Sequence, residues 1–291
     1  MEEILVEDGN QNYESIDGVL LEKKDRLIAY PAGRKATSYK VPDTVSYIYP
    51  NVFYDSMLED IDCSSVEDIY DGIFRGCNAL QEIKGGENTE YISWTSDMIV
   101  EFTGINSMKN LRELNIKPSM SQDFGGFVEL DSLTTLRIDA AGQKMDLSGI
   151  GGTPSLLTLE LSNAENIEDL SWIARINSLS ALKLRTQKSF KTEEVLKEFQ
   201  NMENLCTLYI SKIEKLSDLS WVKQMQSLQK LDMTAIEFSV TDLSPLLGLA
   251  EINEIDISSY SATPRELEED VKKQIEEIKI QKPEAEICIW E

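Results

Sequence analysis

An aspartate two places before a serine recurs four times in this chain: Asp146-Leu-Ser148, Asp169-Leu-Ser171, Asp218-Leu-Ser220 and Asp242-Leu-Ser244. An acid near a hydroxyl suggests nucleophilic catalysis, provided a base can take the serine's proton. The 291 residues include no histidine. That removes the commonest such base, every histidine triad and the commonest zinc ligand. The four cysteines, Cys63, Cys77, Cys206 and Cys288, show no C-x-x-C pair and no metal-like spacing. They read as small buried apolar side chains. A Cys63–Cys77 bridge is the alternative should their turns stack. No calcium loop of the Asp-x-Asp-x-Asp-Gly kind, no phosphate-cradling glycine loop and no nucleophile–base pair stands out. The expectation is therefore no enzyme, no cofactor and no metal.

Repetition further along the chain explains the acid–serine pairs. Each starts ten residues ahead of a Leu-x-x-Leu-x-Leu segment or its equivalent. Seven such segments begin at Leu111, Leu133, Leu156, Leu179, Leu205, Leu228 and Ile252, spaced 22 to 26 residues apart. Leu, Ile or Met fills every apolar slot. A fixed period in this range implies a leucine-rich-repeat solenoid, one strand per turn stacked on the next. The fold expected is α/β: a right-handed β-α superhelix with a parallel concave sheet and short helices on the convex side.

The rest of each repeat fits that reading. Apolar residues three and six places before the segment, such as Met108 and Ile105 or Met225 and Val222, describe one buried face of a helical turn. Small polar residues directly before it, from Asn110 to Ser227, suit a turn. The serine of Asp-Leu-Ser stands where a helix would begin, so its hydroxyl is expected to cap an orphaned N–H. Ser244 is followed by Pro245, a preferred first helical residue. The 26-residue spacing between Leu179 and Leu205 carries Thr192-Glu-Glu-Val-Leu-Lys-Glu-Phe199 instead, a longer helix capped by Thr192. A capping box at Thr263–Glu266 opens a helix with Leu267, Val271, Ile275 and Ile278 on one face. Pro283 ends it, and residues 285–290 alternate as a last strand.

Acidic residues number 52 against 28 basic ones, a net charge of −24. Nucleic acids and anionic membranes are thereby poor partners. No run of 18 apolar residues is present for membrane insertion. Residues 1–12 are acidic and do not resemble a signal peptide. Glu3–Val6 and Asn10-x-x-Tyr13 look like the tail of a repeat under way, so residues before Met1 are expected.

The first hundred residues use a second repeat style. Apolar pairs three apart recur as Val45/Ile48, Leu58/Ile61, Val66/Ile69 and Leu80/Ile83, and Asp17–Tyr30 carries a hairpin pattern. The stretches 12–21, 27–33, Val41-Pro-Asp-Thr-Val45 and Phe74-Arg-Gly-Cys-Asn-Ala-Leu80 resemble the BspA-type leucine-rich repeat family. In that resemblance Cys77 fills the core. Residues 105–260 resemble the internalin-type repeat, departing from it at the usual asparagine position. Asn166 stands there once; Lys144, Ser189, Lys215 and Ser239 stand at the comparable places. The organisation expected is a BspA-type segment with a hairpin (1–104), seven regular repeats (105–262) and a helix–strand cap (263–291), in one continuous solenoid. The resemblance implies a secreted or surface-displayed bacterial binding scaffold; a cytoplasmic scaffold or regulatory subunit is the alternative.

Binding is expected on the concave face. The third, fifth and seventh positions of the seven segments make 21 outward sites with five basic and six acidic residues, far less acidic than the whole chain. The candidate ligand-binding residues are Arg137, Glu160, Lys183, Arg185, Tyr209, Lys230 and Asp232. Arg and Tyr dominate interface energetics when buried by a partner. The partner expected is a protein or a glycan, taken by a monomer.

Overall fold

The computed structural model describes residues 1–23, 25–94, 100–117, 124–167, 169–186, 193–259 and 268–289. Thr192, Ser189, Thr263–Glu266, Leu267 and Trp290 lie outside them. The chain divides into two compact units, Met1–Ile138 and Asp139–Glu291.

The first unit opens with an antiparallel meander of β1 (Tyr13–Ile16), β2 (Val19–Glu22) and β3 (Arg26–Ala29). The β2–β3 pair is the hairpin anticipated between Asp17 and Tyr30. The β1–β2 turn is Asp17-Gly18 with φ of 50° and 72°, the two positive angles that a tight twisted hairpin demands and Asp-Gly supplies. From there each turn of chain contributes two very short strands. One set is β4 (Ser38–Lys40), β6 (Asp60–Asp62), β8 (Glu82–Lys84) and β10 (Glu101–Thr103), which pair in parallel. The other includes β5 (Tyr47–Ile48), parallel to β3, and a parallel run of β7 (Asp68–Tyr70), β9 (Tyr91–Ser93), β11 (Glu113–Ile116) and β12 (Thr135–Asp139), whose last residue opens the second unit.

Side chains alternate along a strand, so an x-Ile-x triplet buries its centre alone. Ile61, Ile83 and Phe102 point inward from one set, and Ile48, Ile69 and Ile92 from the other. Here a second parallel sheet lies where helices were expected, with single 3-10 turns beside it. A spine of rings fills the interior. Phe53 lies 5.4 Å from Tyr30 and stacks on Phe74 at 5.6 Å and 6°, Phe74 meets Trp94 at 5.8 Å, and Trp94 meets Phe102 edge-on at 5.7 Å. Cys77 is buried among them and its thiol donates to the Phe53 carbonyl at 2.9 Å.

The second unit has one parallel sheet of β13 (Thr158–Ser162), β14 (Ala181–Arg185), β15 (Thr207–Leu216), β16 (Lys230–Phe238), β17 (Glu254–Ser259) and β18 (Glu286–Ile289), in that order. The fourth and sixth positions, such as Leu182 and Leu184 or Ile255 and Ile257, are fully buried. Beyond the strands lie 3-10 turns at 148–152, 171–175, 199–201 and 220–224, with α1 (Glu193–Glu198) and α2 (Ser244–Leu247). The apolar spacing of three matches the three-residue period of a 3-10 turn. Met225 N–H bonds Val222 O at 2.9 Å, and Leu228 N–H bonds Met225 O at 3.0 Å. α3 (Glu269–Gln281) buries Val271, Ile275 and Ile278. Its Gln274 accepts the Leu243 N–H at 2.7 Å and donates to Thr241 O at 2.9 Å, tying the helix to the loop before α2.

Three expectations change. In each Asp-Leu-Ser triplet the aspartate, not the serine, satisfies the turn. Its Oδ1 accepts the serine N–H at 2.8 Å in three turns and 2.9 Å in the fourth, while the serine is already the first residue of the turn. An acceptor must precede the first turn to reach its orphaned donor, and a carboxylate two residues upstream can do so. Secondly, all four cysteines are free, and only Cys63 and Cys77 are buried. Cys206 stands just before β15, Cys288 stands at an outward position of β18, and both are only partly buried. Thirdly, the residue directly before the strand segment acts between turns of chain in three repeats. Asn110 Nδ2 donates to Glu87 O at 2.9 Å, Ser178 Oγ to Leu156 O at 2.8 Å, and Asn204 Nδ2 to Asn177 O at 2.8 Å. At the internalin asparagine position Asn166 donates to Gly142 O, but Lys215 pairs instead with Glu237 at 3.4 Å and Ser239 Oγ is buried without a partner.

Candidate binding surface

Parallel register decides which outward side chains meet. In the second unit Glu160, Lys183, Tyr209, Asp232, Asp256 and Cys288 are successive partners across β13 to β18. They form one row with a step of about 4.8 Å, the spacing of hydrogen-bonded strands. Lys230 and Glu254 occupy the row before it, Arg185 the row after. Six of the seven candidate residues thus share one face of one sheet. Arg137 belongs to the first unit, where its guanidinium hydrogen-bonds Glu113.

Arg185 organises the basic end of the row. Its Nε lies 3.2 Å from Glu160 Oε1, and its guanidinium carbon is 5.1 Å from the centre of the Tyr209 ring. The carboxylate and the ring hold the guanidinium in place, an arrangement that lowers the ordering cost of binding. At the acidic end Lys230 Nζ is 2.5 Å from Glu254 Oε1, and that hydrogen bond raises the lysine's pKa.

Asp232 has a raised pKa, first because half-burial penalises its charge and then because Asp256 stands beside it; Lys230 and Arg185 act against the rise. Changing Asp256 to Asn is therefore expected to move Asp232 back towards an ordinary aspartate. Carboxyl-carbon NMR titration measures this directly, and an unmoved Asp232 midpoint would show that Asp256 does not contribute.

The first unit carries a face that sequence reasoning passed over. Tyr47, Tyr49, Tyr70 and Tyr91 flank Ile48, Ile69 and Ile92 at outward positions. The signal was the Tyr-Ile-Tyr, Asp-Ile-Tyr and Tyr-Ile-Ser triplets, each with its buried isoleucine in the middle.

Parallel strands returning once per repeat, with aliphatic side chains packed inward at alternate positions, define a leucine-rich-repeat protein. More narrowly, residues 32–117 match the model of the BspA type Leucine rich repeat region, in six copies. Among solved structures, internalin C2 from Listeria monocytogenes is 19% identical, with a TM-score of 0.42 over 66% of this chain and 76% of that one. A leucine-rich-repeat protein from Leptospira interrogans is 13% identical, with a TM-score of 0.42 over 88% and 82%. Another from Eubacterium ventriosum is 21% identical, with a TM-score of 0.33 over 83% and 54%. No curated protein matches the chain. Among the described residues no helix is long and apolar enough to cross a membrane.

Proposed function

We propose that this protein is a non-catalytic binding scaffold, secreted or displayed on a bacterial surface, which takes a protein or glycan ligand on its outward sheet face as a monomer. Leucine-rich-repeat proteins are typically interaction scaffolds, which supports the general class. The observation that carries the particular site is Arg185, held between Glu160 and the Tyr209 ring. A fixed arginine and a tyrosine side by side are the residue types that most often anchor a partner. Lys183, Lys230 and Asp232 border them.

The test takes ligands found by screening the purified protein against arrays of oligosaccharides and extracellular proteins. Arg185→Ala combined with Tyr209→Ala is expected to weaken binding at least tenfold, one such anchor being worth about 1–2 kcal/mol or more, with no change in melting temperature. Affinity equal to that of the unaltered protein rejects this face. The four free thiols favour a second reading, a scaffold in the reducing cytoplasm. Digestion of intact cells with external protease, with the culture medium assayed beside it, separates the two: a displayed protein is cut, a secreted one is found in the medium and a cytoplasmic one is neither.

A further inference from the structure

The outward face of the first unit is chemically unlike that of the second. Arg26 and Tyr47 are register partners on β3 and β5, and Asp68, Tyr91, Glu113 and Thr135 follow one another across β7, β9, β11 and β12. Rings therefore alternate with charges along this face. Glu67 N–H bonds Ser46 O at 3.1 Å, which ties the start of β7 to the turn carrying Tyr47. Tyr70 follows Asp68 by two on β7, hence on the same face. Its hydroxyl donates to Ile48 O at 3.4 Å. Tyr47 and Tyr91 are 37% and 41% exposed, so their rings are open to a partner.

One cation already uses this face. The Arg26 guanidinium lies 5.8 Å from the centre of the Tyr47 ring and donates to Tyr49 Oη at 3.4 Å. A second such place lies around Asp68. No basic side chain among the described residues forms an ion pair with Asp68; Glu90, paired with Arg112 at 3.6 Å, only adds to its negative surroundings. Asp68 is exposed at the surface, yet partial desolvation by its neighbours and the Glu90 charge both raise its pKa, so an incoming cation would relieve it. Tyrosine faces present the negative part of the ring quadrupole and attract cations as well.

We propose that the Tyr47–Asp68–Tyr70–Tyr91 face is a separate docking surface for a partner-protein segment that presents an arginine. Charge complementarity selects the partner: a carboxylate flanked by tyrosine rings, on a chain of net charge −24, favours a cation and repels anionic polymers. Arginine fits better than lysine, because its planar guanidinium stacks on a ring while its fork meets a carboxylate.

The probe is a short fluorescein-labelled glycine–serine peptide carrying two arginines, with the citrulline version as its neutral twin. Binding to the full chain is followed by fluorescence anisotropy. Asp68→Asn, and separately Tyr47→Ala with Tyr91→Ala, are each expected to weaken the arginine peptide about tenfold, with the melting temperature unchanged. Tyr54→Ala and Glu284→Gln, exposed changes elsewhere, are expected to alter it less than twofold, and the citrulline peptide not to bind. Equal losses in all variants would reveal diffuse attraction to an acidic protein and overturn the proposal. So would neutral oligosaccharides that bind in place of the peptide and are lost with the tyrosines. Arg185→Ala with Tyr209→Ala is expected to leave peptide binding intact, which keeps this test independent of the ligand face on the second unit.

Discussion

Phe74→Ala is expected to destabilise the first unit by about 3–5 kcal/mol, the range for removing a buried ring. Phe74 is 2% exposed and links two neighbours, Phe53 at 5.6 Å and Trp94 at 5.8 Å. Its strands are three residues long or shorter over much of this unit and hold little by backbone pairing alone. Each turn of a repeat protein rests on its immediate neighbours, so a void in the ring spine weakens the contacts on both sides of it. Phe74→Leu, which keeps most of the volume, is expected to lose less than half as much. Urea unfolding followed by tryptophan fluorescence measures both, since Trp94 reports on the same cluster. A loss below about 1 kcal/mol for the alanine variant would mean that the spine is not what holds these turns together.

The second large effect concerns the aspartates. Replacing Asp146, Asp169, Asp218 and Asp242 together by alanine is expected to cost about 4 kcal/mol, at about 1 kcal/mol for each lost acceptor at a helical start. The turns are neighbours, so strict additivity is not required, but a loss near zero would contradict the capping role. The pH dependence has a definite sign. In Asp146, Asp169 and Asp242 the serine hydroxyl contributes most and its N–H next; in Asp218 the N–H of Ser220 leads. These bonds favour the carboxylate and hold all four below the usual aspartate value. The stability they contribute is complete above the unfolded-state pKa, about 3.9. It is lost as the pH falls through the lower folded values. The fourfold variant is therefore expected to show a shallower decline in melting temperature on acidification, in scans from neutral pH towards pH 2.

Much of the fold was legible because its signals are local. Leucines at the first, fourth and sixth positions must point inward if the segment is a strand, and the structure buries Leu205, Leu208 and Ile210 accordingly. The spacing of three ahead of each strand marked a short helical turn. The same logic placed α3 by Val271, Ile275 and Ile278. It also placed Glu160, Lys183, Arg185 and Tyr209 on one face of the second unit, because period-two alternation leaves them no other side. It did not give the hydrogen-bond roles within Asp-Leu-Ser. A serine and an aspartate are both good acceptors, and only the start of the turn, at the serine itself, decides between them.

The sequence alone determined the period of the chain, the apolar side of each long segment and the absence of histidine chemistry. All of these depend on residue type and spacing along one strand. The tertiary structure decided what lies beside what. The contact of Arg185 with Tyr209, the pressure of Asp256 on Asp232, the ring spine from Tyr30 to Phe102 and the tyrosine face around Asp68 all join residues on different turns of chain. They depend on the register between neighbouring strands. In the first unit most of those strands are only two or three residues long, too short for alternation to reveal their alignment, so only the pairing of strands in three dimensions shows which outward side chains meet.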